Sequence, residues 1–171
     1  MKIETERLYL VACDQTILQK AIDGDSHLAE YLKVFVPENW TVFGERALQH
    51  SLTKLVENDT ENGWWSYLVL EKNENKLIGL CGYKGQPTQD GIVEIGYEIM
   101  PEYQNKRLAT EVANALVANA FSLDKIVAVQ AHTLGAANAS TKILEHCDFK
   151  KIDEVDGGEL GTIWKWHLQK T

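Results

Sequence analysis

Cysteine is scarce in this chain: Cys13, Cys81 and Cys147 are odd in number, far apart, and set within or beside apolar stretches. That pattern fits reduced, buried thiols and argues against a disulfide framework. No CxxC, HxxxH or HExxH spacing occurs, so no metal site is expected. No apolar run is long enough to span a membrane, and the first residues, MKIETERLYL, thread charges among apolar side chains as a secretory or targeting segment does not. A cytoplasmic protein without a membrane partner is expected. Basic charge is also short: 17 Lys and Arg stand against 25 Asp and Glu, for a net charge of -8, and the basic residues are scattered. A nucleic-acid partner is therefore not expected, because binding a phosphate backbone depends on concentrated Lys and Arg. Walker-type and dinucleotide-binding glycine patterns are missing too, which argues against nucleotide hydrolysis and hydride transfer.

What is present fits one domain over residues 1–171. At 44% apolar the chain fills one core and is too short for two ordinary domains, and no repeat, low-complexity tract or linker interrupts it. RLYLVAC (Arg7 to Cys13) has the composition of a first strand. Asp14 then reads as an N-cap, with Ile17, Leu18, Ala21 and Ile22 at helical spacing before Gly24 ends the helix. A short helix after Ser26 follows. Next comes VFVPENW (Val34 to Trp40), readable as a core-tucked loop or a lid, and a helix over Gly44 to Glu57. Three strands in series, from Trp64, Lys76 and Gly91, form an antiparallel meander joined by a tight turn at Asn73 to Asn75 and a longer one through Pro87. KIVAVQAHTL (Lys125 to Leu134) reads as a strand buried on both faces, and Ser140 to Cys147 as a helix. FKKIDEV and TIWKWHL read as a closing hairpin with Trp164, Trp166 and Leu168 on its buried face.

The stretch around which these elements are arranged is VEIGYEIMPEYQNKRLATEVANALV, from Val93 to Val117: a strand, a proline-marked loop and a helix. Unpaired N–H groups and the positive end of a helix dipole meet at such a corner, which makes it a site for an anionic cofactor. With the following strand it forms a βαβ unit, so the two strands should be parallel.

Four pieces resemble the GNAT superfamily of acyl-CoA-dependent N-acetyltransferases, and most of all its Rim-type branch of ribosomal-protein N-terminal acetyltransferases. They are TERLYL (Thr5 to Leu10), IGLCGY (Ile78 to Tyr83), VEIGYEIMPEYQNKRLATE (Val93 to Glu111) and ASTKILEHCDF (Ala139 to Phe149). The resemblance implies an α/β (α+β) fold, with a mostly antiparallel central sheet of about seven strands and helices on both faces. It implies acetyl-CoA as cosubstrate, no metal, an amine acceptor (small molecule or protein N-terminus), and a monomer or homodimer. The family's loop Q/R-x-x-G-x-G/A falls on Gln104, Asn105, Lys106, Arg107, Leu108 and Ala109, with Ile99, Thr110 and Asn138 completing the implied cofactor-binding set. Arg107 stands where the family has glycine; if φ must be positive there, its side chain costs roughly 1 to 2 kcal/mol. Ala137 occupies the usual Asn position of the next helix, and Asp148 the usual Gly. Ser140 keeps its place, and the resemblance makes it the donor to the departing thiolate. The tyrosine used elsewhere in the superfamily falls at Leu144, which has no proton to give.

Acetyl transfer needs a neutral amine, donors for the developing oxyanion and a proton acceptor. Glu94, Gly96 and Glu98 share one strand face, two carboxylates around a glycine, and are the candidate amine side. A lysine-like amine with a pKa near ~10.4 costs about 4.6 kcal/mol to deprotonate at pH 7, an α-amine near ~7.8 only about 1.1. His132, late in a buried strand, reads as a satisfied core histidine, and His146 and Cys147 diverge around a helix. The transferase reading competes with an idle acyl-CoA-binding or sensing module, for which the departures at Arg107, Ala137 and Asp148 are the motive.

Overall fold

The computed structural model describes residues 1–171. A short strand β1 (Lys2–Glu4) leads to β2 (Leu8–Ala12), then three helices, α1 (Gln15–Asp23), α2 (Asp25–Leu32) and α3 (Gly44–Glu57). The meander β3 (Ser66–Glu71), β4 (Lys76–Tyr83) and β5 (Ile92–Ile99) follows, and α4 (Leu108–Phe121) crosses to β6 (Ala128–Leu134). After α5 (Ala139–His146), the chain closes with β7 (Lys150–Asp156) and β8 (Thr162–Gln169).

The local signals act as their chemistry dictates. Asp14 accepts a hydrogen bond from the Ile17 N–H at 2.8 Å to start α1, and Gly24 ends it at φ 138°, a conformation that favours glycine. In α3, Leu48, Ser51 and Leu55 recur at helical spacing on the buried side. Strands β3 and β4 are buried along nearly their whole length because helices cover both faces. Ser66 meets Ser51 of α3 on one face, at 2.7 Å. Tyr83, adjacent to Gly82 and thus on the other face, donates its hydroxyl to the Leu116 carbonyl of α4 at 2.7 Å. Leu116 itself is fully buried, and trimming it to alanine should cost about 2–5 kcal/mol.

The sheet runs β1-β2-β3-β4-β5-β6-β8-β7 and is antiparallel except where β5 meets β6 in parallel. The α/β architecture, the meander and the βαβ unit match the sequence reading, with two corrections. The sheet has eight strands, not about seven: β1 pairs with β2 from Lys2↔Val11 to Glu4↔Tyr9. A three-residue edge strand with charged ends is too short to show a hydrophobic period. The second correction concerns β6, which begins at Ala128 rather than Lys125 and is not buried on both faces. Val129, Ala131 and Thr133 are covered, whereas Gln130 and His132 on the opposite face stay partly exposed. In β8 the tryptophan face is the buried one, with Trp166 donating its indole N–H to Thr133 at 2.9 Å.

The feature that positions the site is the limited contact between β5 and β6. Their ladder holds only Ile92↔Ala128, Val93↔Val129 and Glu94↔Gln130. Beyond Glu94, β5 stays paired to β4 as far as Ile99, and β6 to β8 as far as Leu134. The two strands part, and a slot opens between them.

Candidate active site

At the end of β5 the chain turns through Pro101 into the loop before α4. Arg107 is the N-cap of α4 and is left-handed, at φ 61° and ψ 16°; Asn105 is left-handed too, at φ 59°. The N–H groups from Asn105 to Thr110 donate no backbone hydrogen bond; the first that does is Glu111, to the Arg107 carbonyl at 3.1 Å. Successive free N–H groups at a helix start, in a chain turned by left-handed residues, form a concave donor surface suited to phosphate. Gln104 closes this loop onto the strand by donating its amide to the Ile99 carbonyl at 3.0 Å. The loop is exposed from Gln104 to Arg107, and Leu108 is its buried anchor.

A clamp from the turn between β1 and β2 holds this corner. The Glu111 carboxylate accepts from the Thr5 hydroxyl at 2.5 Å, the Arg7 N–H at 2.9 Å and the Arg7 guanidinium at 2.7 Å. The same guanidinium donates to the Lys106 carbonyl inside the loop at 2.9 Å. Burial alone would raise the Glu111 pKa, but the Thr5 and Arg7 donors outweigh it and hold the carboxyl below its usual range. The residues of the clamp lie in TERL and in ATE, more than 100 positions apart, so only the fold reveals their contact.

On the α3 face of the sheet, Glu94 stands at the apex of the slot. It accepts from Lys84, from His132 Nδ1 at 2.9 Å and from the Gln130 amide at 3.2 Å. Burial pushes its pKa up, yet Lys84 and His132 more than compensate, and the net shift is downward. His132 is thus no satisfied core residue. It is about a quarter exposed, holds Glu94 through one ring nitrogen, and lies two residues past Gln130, on the strand that diverges from Gly96. Glu98 is engaged differently: it accepts from the Thr41 hydroxyl and from the N–H groups of Val42 and Phe43, at 3.0 and 3.2 Å to its Oε2. Its pKa is nonetheless raised, by burial first. The two carboxylates share the face foreseen for them, but Glu98 ties the segment before α3 to the sheet, while Glu94 faces a histidine.

On the α4 face, the Tyr97 hydroxyl is buried and has no hydrogen-bond partner. An unpaired buried hydroxyl costs about 1–3 kcal/mol. Helix α5 lies along the same side, its Cys147 thiol 3.9 Å from the Thr110 carbonyl. Asn138 is the N-cap of α5, accepting from Thr141 N–H at 3.0 Å, so its side-chain oxygen serves the helix. Ser140 is therefore not the cap, and it lies about 10 Å along the helix axis from Cys147 at 1.5 Å per residue. The start of α4 and the Ser140 hydroxyl are thus set near opposite ends of α5. At the far end, Phe149 N–H bonds Leu144 and Asp148 N–H bonds Glu145, a Schellman turn with Asp148 left-handed at φ 64°. Leu144 is fully buried.

The acetyltransferase (GNAT) domain model matches residues 7–150, which span the loop, the slot and α5. The chain belongs to the GNAT acetyltransferase family. It is an acetyl-CoA-dependent acetyltransferase, and the family transfers acyl groups from acetyl-CoA to amines. Among curated proteins, the uncharacterized N-acetyltransferase YjdG of Bacillus subtilis (strain 168) is 27% identical over 149 residues, 86% of this chain and 88% of that protein. Two solved structures share the GNAT fold over 99% of this chain. One is the ribosomal-protein-S5-alanine acetyltransferase from Vibrio fischeri, with a TM-score of 0.71, 20% identity and 96% of that chain covered. The other is RimL, a ribosomal L7/L12 alpha-N-protein acetyltransferase in complex with coenzyme A, with a TM-score of 0.72, 12% identity and 98% of that chain covered. The Rim-type likeness read from the sequence is thus matched by the neighbours of the fold.

Proposed function

We propose that residues 1–171 act as one unit that acetylates a primary amine by direct attack, with donor and acceptor bound together on opposite sides of the slot. The observation that carries this reading is the end of the β5–β6 ladder at Glu94↔Gln130, which leaves a slot reaching from the free N–H groups of Asn105 to Thr110 toward Glu94 and His132. Bound acetyl-CoA supplies an activated thioester there. The loop residues Gln104, Asn105, Lys106, Arg107, Leu108, Ala109 and Thr110 hold its pyrophosphate. Ile99 and Asn138 border it through the strand end and the α5 cap.

On the acceptor face, His132 takes the amine proton while Glu94 orients the ring and stabilises the imidazolium that forms. A C–N bond forms, the C–S bond breaks, and Ser140 donates a hydrogen bond to the departing thiolate and relays a proton to it. The proton lost by the amine balances the one gained by sulfur. Glu98 serves the acceptor side by fixing Thr41 to Phe43 over it. A positioned base contributes roughly 10²- to 10⁴-fold, which suffices for an α-amine and is strained by the larger deprotonation cost of a side-chain ammonium. The reading therefore favours α-amines, in a free molecule or at a peptide N-terminus.

The test uses Gly96, which lies across the slot from His132. A Cβ there would meet nothing nearer than Lys84 Cε at 3.7 Å, so the fold has room for a side chain while an approaching acceptor does not. Gly96→Val should keep the rise in melting temperature on adding acetyl-CoA yet release no free thiol with any amine that the native enzyme acetylates. Undiminished thiol release would refute the slot as the place of reaction.

A further inference from the structure

Beside the slot, between α3 and the sheet, lies a cavity of about 670 Å³ with Gly96 in its lining. Its apolar walls include Phe43 and Trp65, and Trp65 is fixed by His50, edge-on at a ring-centroid distance of 5.0 Å, and by an indole bond to Glu61 at 2.7 Å. In a chain of net charge -8, this lining contains no Asp or Glu at all, while Arg46, Lys84 and His50 are part of it. The carboxylates nearest in sequence to Gly96 are already engaged: Glu94 by Lys84 and His132, Glu98 by Thr41, Val42 and Phe43. Lys84 is matched by Glu94, but Arg46 is exposed and forms no ion pair. An acceptor seated here finds an apolar wall and an unmatched guanidinium, and no free carboxylate for a second ammonium group.

We propose, resting on the function proposed above, that the acceptor is an amine bearing an apolar or aromatic side chain and a carboxylate, with the carboxylate on Arg46, the side chain against Phe43 and Trp65, and the amine at Gly96. Free apolar amino acids carry this chemistry, as do peptides with an apolar first residue and an acidic second one. Polyamines and lysine-rich N-termini do not, because each further cation meets the unmatched Arg46 and finds no free carboxylate.

The experiment measures thiol release from acetyl-CoA with L-leucine and L-phenylalanine, their carboxamides, peptides beginning Leu-Asp or Leu-Lys, and spermidine, for the native enzyme and for Arg46→Glu. Removing the carboxylate should lower kcat/KM about tenfold in the native enzyme, and Arg46→Glu should erase or invert that ratio. Preference for the free acids or for the Leu-Asp peptide identifies which source is used, and either supports the assignment. Spermidine or the carboxamides as preferred acceptors, or an acid-to-amide ratio unchanged by Arg46→Glu, would overturn it. Acetyl-CoA stabilisation without thiol release from any acid also overturns it and leaves the proposed function standing. Absence of both stabilisation and turnover overturns the proposed function as well. Arg46 has no ion-pair partner to lose, so the melting temperature of the variant without ligand should match that of the native chain.

Discussion

Arg107 allows backbone and charge effects in the cofactor loop to be separated. Its left-handed φ of 61° places a β-carbon where L-residues are strained by about 1–2 kcal/mol. Glycine removes that strain but brings its own backbone entropy cost of roughly 0.5–1 kcal/mol. The net expectation for Arg107→Gly is a gain of about 0.5 kcal/mol, worth about 1–2 °C in melting temperature for a chain of this size. Arg107→Ala keeps the β-carbon and so should leave stability unchanged, because the Arg107 side chain makes no cap bond. Both variants lose the same positive charge beside the free N–H run. If the loop binds pyrophosphate, each should raise the KM for acetyl-CoA by about 2- to 5-fold, the worth of one exposed ion contact, with the glycine variant no worse than the alanine one. Thermal melts with and without coenzyme A, together with initial rates over a range of acetyl-CoA, supply every number. A glycine variant less stable than the alanine variant would refute the strain argument, and unchanged KM in both would remove the loop from the phosphate.

Ser140→Ala should lower kcat severalfold with little effect on the KM for acetyl-CoA, since Asn138, not Ser140, caps α5; an unchanged kcat would end its role at the sulfur. Glu111→Gln should loosen the clamp on Lys106 and Arg7, costing about 1–2 kcal/mol and raising the KM for acetyl-CoA more than it lowers kcat. A loss of kcat alone in steady-state rates would contradict that. For pH, Glu94 has a folded pKa below its ordinary value, so its contribution to stability is complete above the unfolded value near ~4.3 and is lost as pH falls through the folded one. Urea melts should thus show the native chain's advantage over Glu94→Gln as constant at neutral pH and shrinking on acidification, and a gap independent of pH would refute the pairing with Lys84 and His132.

How much of this was legible depended on separation along the chain. The order of strands and helices was readable because periodicity and caps such as Asp14 and Gly24 act within a few residues. The loop was readable as well, including the strain at Arg107, because its motif is contiguous. The partner of Glu94 was not: its contact with His132 spans 38 positions and depends on the parallel register of β5 and β6. Nor was the engagement of Glu98, whose donors lie some 55 positions earlier, before α3. Strand β1 escaped notice for a different reason, since three residues at an edge carry no periodicity.

The three residue pairs joining β5 to β6 also act as a mechanical joint. On one side of it lies a panel, β1 to β5, that carries the loop and the segment anchored by Glu98; on the other, the β6–β8–β7 panel carries His132. In the proposed reaction, the gap between His132 and an acceptor at Gly96 follows from the angle at which β5 and β6 part after Glu94↔Gln130. Substitutions packed behind that joint, far from any reacting atom, are where evolution or design can retune this enzyme with the least disturbance to its chemistry.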